Sequence, residues 1–149
     1  MKIACIIPSR YASTRLPGKP LRMIARETLV HRVYERAVLA KLPDIVIVAT
    51  DNEKIESEVK SFGGRVMMTS PDHPTGTDRL AEVAASLPDY DIVVNVQGDE
   101  PFINPDVIDS LAKMLAERDD LDMTTAAAPL KEDEYDDPSA VKVVVNQKG

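Results

Sequence analysis

Short, continuously apolar runs alternate with amphipathic stripes along this chain, and that alternation most constrains how it can fold. The runs are Ile3–Ile7, Ile45–Ala49, Val66–Thr69 and Ile92–Val96. Unbroken apolar character is expected of strands covered on both faces. From Thr28, Leu29, Val33, Ala37 and Ala40 form one helical stripe, which Pro43 ends. Ile55, Val59 and Phe62 mark a second helix, with Gly63-Gly64 as its stop. Leu80, Val83, Ala84 and Leu87 mark a third, stopped by Pro88. Ile108, Leu111 and Leu115 mark a fourth, with Asn104 as N-cap and Pro105 at the first helical position. Met123–Ala128 predicts a fifth strand and Val141–Val145 a last one, separated by the acidic loop Lys131–Pro138. Short connections between strand and helix predict right-handed βαβ units, a mostly parallel sheet and helices on both faces. The chain reads as one α/β domain over residues 1–149, without repeats or an interdomain linker.

In an open parallel sheet, ligands bind outside the carboxyl ends of the strands. Four loops leave those ends: Pro8–Pro20, Thr50–Asp51, Ser70–Arg79 and Gln97–Pro101. They hold most of the unusual chemistry, whereas the opposite-edge connections hold turn and stop residues. The first loop reads PSRYASTRLPGKP and carries Arg10, Arg15 and Lys19. No acid precedes Glu27, although the whole chain has a formal net charge of -7. A cationic loop at a strand end in an acidic protein points to an anionic ligand, with a nucleoside triphosphate the favoured reading. Arginine offers bidentate contacts to phosphate, lysine a movable point charge, and Gly18 lets the backbone come close. The loop matches neither the Walker nor the dinucleotide glycine pattern. The plainer alternative is a solvated basic loop.

Asp99, in QGDEP, lies just past a buried strand. A carboxylate there could hold Mg2+ together with phosphate oxygens. Glu100 could serve instead, and a simple turn acid is the bland alternative. Thr75-Gly76-Thr77 could surround a base, or Thr77 could cap the following helix. Arg79 falls in the first turn of that helix, where the helix dipole disfavours a cation, and this points to an anionic or hydrogen-bonding partner.

The negative net charge, the absence of Trp and an aromatic content of 4% argue against nucleic acid as a partner. A single cysteine, Cys5, excludes an internal disulfide, fits a reducing compartment and reads as a core residue. His31 and His73 have no Ser or Cys partner at a recognisable motif, and two histidines with one cysteine make a zinc site improbable. No segment approaches the length of a membrane span, and Pro8 and Arg10 interrupt the first apolar run too soon for a signal peptide. The expectation is a soluble cytoplasmic protein.

Five stretches occur in a telling order: IIPSRYASTRLPGKPL (Ile6–Leu21), VATD (Val48–Asp51), HPTGTDRLAEV (His73–Val83), VVNVQGDEP (Val93–Pro101) and AVKVVV (Ala140–Val145). Together they resemble the 3-deoxy-manno-octulosonate cytidylyltransferase family, the CMP-KDO synthetases. The first and fourth are highly specific as a pair. The related acylneuraminate cytidylyltransferases have a different first loop and rank second.

The resemblance implies a three-layer Rossmann-like nucleotidyltransferase fold, incomplete at the carboxyl end. It implies that CTP and KDO give CMP-KDO and pyrophosphate, for lipopolysaccharide biosynthesis. Arg10, Arg15 and Lys19 would hold the triphosphate, and Asp99 would bind Mg2+. The catalytic weight would fall on Arg15, Lys19 and Asp99. Pro8, Ser9, Thr77, Arg79 and Gln97 would shape the nucleotide pocket, with Gln97 also near the sugar. A full-length member would be a homodimer. The sequence departs from the family pattern at Arg26-Glu27, where a Gly-Lys pair is expected after Ile24. The family also continues well past Gly149, with most sugar-binding residues and a second metal-binding aspartate there. The chain is therefore expected to be an amino-terminal part that lacks appreciable transferase activity alone. A non-catalytic CTP-binding or assembly module is the alternative.

Overall fold

The computed structural model describes residues 1–12 and 16–145. In chain order the elements are β1 (Ile3–Pro8), a 3-10 turn (Lys19–Leu21), β2 (Met23–Ile24), β3 (Glu27–Thr28), α1 (Leu29–Ala37), β4 (Ile45–Thr50) and α2 (Glu53–Ser61). Then come β5 (Val66–Met68), α3 (Gly76–Ala85), β6 (Ile92–Asn95), α4 (Pro105–Glu117) and a second 3-10 turn (Glu132–Glu134). The main sheet has the order β5-β4-β1-β6, and every pairing in it is parallel. The four predicted strands are thus present within a residue or two of their expected ends.

Strand alternation sorts β1 between two layers. Ile3, Cys5 and Ile7 join the larger core with Leu29, Val33, Ile55, Val59, Ile108 and Ala112, which places α1, α2 and α4 on one face. Ile6 joins a smaller core with Ile47, Ala49, Leu80 and Val83, which places α3 on the other. Two covered faces explain why the strands read as unbroken apolar runs. Thr28 caps α1, accepting from the His31 amide at 3.3 Å. Asn104 caps α4 with Pro105 following, as the sequence predicts. Gly63, at φ 77, and Gly64, whose amide donates to the Val59 carbonyl at 2.9 Å, stop α2.

Three expectations are corrected. Met123–Ala128 and Val141–Val145 are not strands; no strand follows β6 among the described residues. An apolar run becomes a strand only where a sheet edge receives it, and its own composition cannot supply that edge. Instead, the Thr124 hydroxyl donates to the Leu111 carbonyl of α4, and Met123, Val141 and Val144 are exposed. The cap of α3 is Thr75 rather than Thr77. Thr75 is reciprocally bonded with Asp78 in a capping box, and Thr77 lies inside the first turn.

The sequence gives no warning of the small β2–β3 hairpin. Its two-residue turn puts Ala25 at φ 48 and Arg26 at φ 77. Such turns favour Asn-Gly because both central residues are left-handed. Here the turn is held from outside: Arg32 of α1 donates to the carbonyls of Ile24 (3.3 Å) and Ala25 (2.7 Å). Replacing the pair by Ala25→Asn/Arg26→Gly is expected to stabilise the chain by about 1–2 kcal/mol. A higher denaturant midpoint at unchanged slope is the predicted readout, and an unchanged or lower midpoint would count against strain in this turn.

Candidate functional site

The carboxyl ends of β1 and β6 and the start of α3 enclose a cleft of about 250 Å³. β1 leads into it with Pro8, Ser9 and Arg10, and the basic loop adds Lys19 and Pro20. The loop after β6 contributes Gln97, Gly98 and Asp99, and α3 contributes Thr75, Gly76 and Arg79. Parallel pairing brings these segments together. β6 runs beside β1 in register from Ile3↔Ile92, so Gln97–Asp99 emerge next to Pro8–Ser9.

The contact between the two loops is close. A Cβ placed on Gly98 would stand 2.5 Å from the Pro8 carbonyl oxygen and 3.2 Å from Ser9 Oγ. Only a residue without a side chain lets the backbones approach this far. Ser9 is buried, and its Oγ has no hydrogen-bond partner among the described residues. A buried hydroxyl at a cleft wall without a partner is uncommon in folded proteins and fits a polar ligand.

Lys19 is presented by local turn chemistry. The Gly18 amide donates to the Tyr11 carbonyl at 2.9 Å, and Gly18, at φ 67, begins the 3-10 turn that carries Lys19. Lys19 Nζ reaches Asp99 Oδ2 at 2.5 Å, across eighty positions of sequence. Both side chains are about half exposed, so the pair contributes at most about 1 kcal/mol to the fold. Asp99 lines the cleft and Glu100 does not.

Of the remaining predicted site residues, Thr77 is exposed and does not line the cleft. Arg15 lies outside the described residues. Arg79 lines the cleft but is committed elsewhere: its guanidinium donates to Asp51 at 2.8 Å and to the Thr69 hydroxyl. Sequence reasoning left Gly98 out, although a glycine immediately after a buried strand was a usable signal. It noted Thr75-Gly76 without separating them from Thr77.

The other reactive side chains are otherwise engaged. Burial pushes the Cys5 thiol up to about 12, which leaves it inert as a nucleophile or ligand. His31 stacks on Phe62 and pairs with Glu27, while His73 pairs with Glu82. The His73 hydrogen bond holds the Glu82 carboxyl below its ordinary value. The Thr75 hydroxyl does the same for Asp78 in the cap. Among the described residues no cluster of three His, Cys, Asp or Glu side chains could hold a metal unaided. No described helix is long and apolar enough to cross a membrane.

The sequence and fold have counterparts among known proteins. A family model described as Cytidylyltransferase matches residues 4–149. The chain is 50% identical over 150 residues to the 3-deoxy-manno-octulosonate cytidylyltransferase of Syntrophotalea carbinolica, covering 100% of this chain and 60% of that protein. It is 53% identical to the same-named protein of Geotalea daltonii, covering 100% of this chain and 59% of the other. The chain thus spans about three fifths of the length of these curated relatives. Among solved structures, CMP:2-keto-3-deoxy-manno-octonic acid synthetase complexed with CTP superposes with a TM-score of 0.76 at 44% identity. That match covers 78% of this chain and 48% of the other. A cytidylyltransferase from Leptospira borgpetersenii superposes with a TM-score of 0.70 at 29% identity, over 80% of this chain and 51% of the other. With the parallel sheet and the strand-end cleft already in place, a match over nearly the whole length assigns the chain: it belongs to the cytidylyltransferase family.

Proposed function

We propose that this chain forms the CTP-binding part of an enzyme that transfers CMP from CTP to 3-deoxy-D-manno-octulosonate (KDO), releasing pyrophosphate. The observation that carries the reading is the meeting of Lys19 and Asp99, from loops at the ends of β1 and β6, beside the unpartnered Ser9 hydroxyl. Cation, carboxylate and buried hydroxyl in one cleft suit a metal–triphosphate. Arg10, Lys19 and, from the same loop, Arg15 neutralise the phosphates. Pro8, Ser9, Arg79 and Gln97 belong to the nucleotide pocket, whereas Thr77, exposed in the first turn of α3, stands outside the cleft lining. The single cleft carboxylate, Asp99, fits Mg2+, which favours one or two carboxylates with the substrate's phosphate oxygens completing its shell. Bound there, Mg2+ supplies charge neutralisation at the phosphates.

The anomeric hydroxyl of KDO attacks the α-phosphorus and gives up its proton to solvent, the bond from that phosphorus to the α–β bridging oxygen breaks, and pyrophosphate leaves with that oxygen. In such transfers the protein's part is positioning and charge stabilisation. The sugar follows the names of the relatives; the role in lipopolysaccharide biosynthesis, a cytoplasmic setting and a homodimeric whole protein rest on the family resemblance alone. A second reading is CTP binding without turnover. Pyrophosphate release from CTP, KDO and Mg2+ separates the two.

Calorimetry with CTP and UTP in Mg2+ tests the shared step. The expected result is binding of CTP in preference to UTP. Binding of neither returns the basic loop to a solvated surface.

A further inference from the structure

Among the described residues Arg79 is the one charged side chain that is buried, at 2% exposure. It lies in the first turn of α3, where the helix dipole opposes a cation. A cation buried there persists only if its partners hold it firmly. Those partners come from two other strand ends. Asp51, just past β4, accepts from the guanidinium at 2.8 Å, and Thr69, just past β5, accepts through its hydroxyl. Thr69 in turn donates to the Thr50 carbonyl, from its hydroxyl at 3.0 Å and its amide at 2.8 Å. One guanidinium therefore binds the ends of β4 and β5 to the start of α3.

That helix start is a wall of the cleft. Thr75 and Gly76 line it, and a Cβ on Gly76 would stand 3.6 Å from Pro8 Cγ. Asp51 and Thr69 do not line the cleft. Their side chains reach the cleft lining through Arg79.

We infer that Arg79 is a positioning residue: clamped by Asp51 and Thr69, it sets Thr75 and Gly76 against Pro8 and so fixes one wall of the nucleotide cleft. This rests on the reading of the cleft as a CTP site. Direct contact with the nucleotide would have the opposite signature. If Arg79 bound phosphate, removing the Asp51 charge would leave its guanidinium more available, and CTP affinity would hold or rise.

The test uses Asp51→Asn, Thr69→Val and Thr69→Ser in this chain. CTP affinity in Mg2+ is measured by calorimetry, beside thermal unfolding and amide hydrogen exchange at Asp78 and Arg79, whose amides donate to Thr75. The expected result is a rise in Kd of about tenfold for Asp51→Asn and Thr69→Val. Thr69→Ser, which keeps the hydroxyl, restores the wild-type Kd. Exchange at Asp78 and Arg79 quickens in the first two variants only. If both bind CTP within about twofold of wild type, the inference is overturned. Should the wild-type chain bind no CTP, the nucleotide reading fails. Exchange then still judges the clamp: unchanged rates in Asp51→Asn refute it, faster rates support it. Thr69→Val removes no charge and covers the case in which Asp51→Asn does not fold.

Discussion

Gly98→Ala destabilises the chain by about 1–3 kcal/mol and weakens CTP binding at least about tenfold. The methyl group would enter 2.5 Å from the Pro8 carbonyl oxygen, a backbone atom at the end of the central strand β1. Neither side yields cheaply. Pro8 is paired to β4 through Ala49, and the next amide, Ser9, donates to the Ala49 carbonyl at 2.8 Å. The clash is relieved only by moving Gln97–Asp99 outward, away from Lys19. Displacement on the ångström scale is costly to a site that works by position. Chemical denaturation and CTP calorimetry on the same variant check both halves. Wild-type stability together with wild-type affinity would show that the two loops do not need this approach.

Asp99→Asn is expected to abolish the Mg2+ dependence of CTP binding. In the wild-type chain Mg2+ should raise CTP affinity about tenfold or more, because Asp99 and the phosphates would both be ligands of the one metal ion. In the variant the gain should fall below about twofold, since an amide is a poor ligand for a hard cation. The Lys19–Asp99 pair adds a sign that a folding defect would not produce. Without its carboxylate partner, Lys19 has only phosphate to meet, so metal-free CTP binding should hold or strengthen while the metal response disappears. Calorimetry with and without Mg2+ reads both arms. Survival of the affinity and the metal response together would remove Asp99 from the metal site.

The doubly covered strands were legible because burial on both faces writes itself into consecutive residues, as in Ile3–Ile7. The same logic misled at Val141–Val145, where composition resembles a strand but no neighbour receives it. The β2–β3 hairpin escaped because its strands have two residues each and its turn is Ala25-Arg26, without the usual glycine or asparagine. At the site, three of the four loops that the strand-end rule selected form the cleft, and the fourth, Thr50–Asp51, does not line it. The rule could not choose Asp99 over Glu100, since adjacent residues differ only in direction. Nor could it foresee that Arg79 is occupied by Asp51, a partner 28 positions earlier brought near by sheet pairing. Thr75 displaced Thr77 as the cap because Asp78 three residues on completes a reciprocal pair, a pattern present in the sequence but not weighed.

The unequal cores on the two sides of the sheet have a dynamic consequence. Sixteen buried residues gather on the face of α1, α2 and α4, but five on the face of α3. Regions with few buried apolar contacts open at lower free energy than the rest. The cleft therefore has one side rooted in the central strands and one carried by the thinner layer of α3, where the Arg79 bonds to Asp51 and Thr69 stand in for apolar burial. Loss of those bonds would loosen the α3 wall first, while the opposite wall keeps its register.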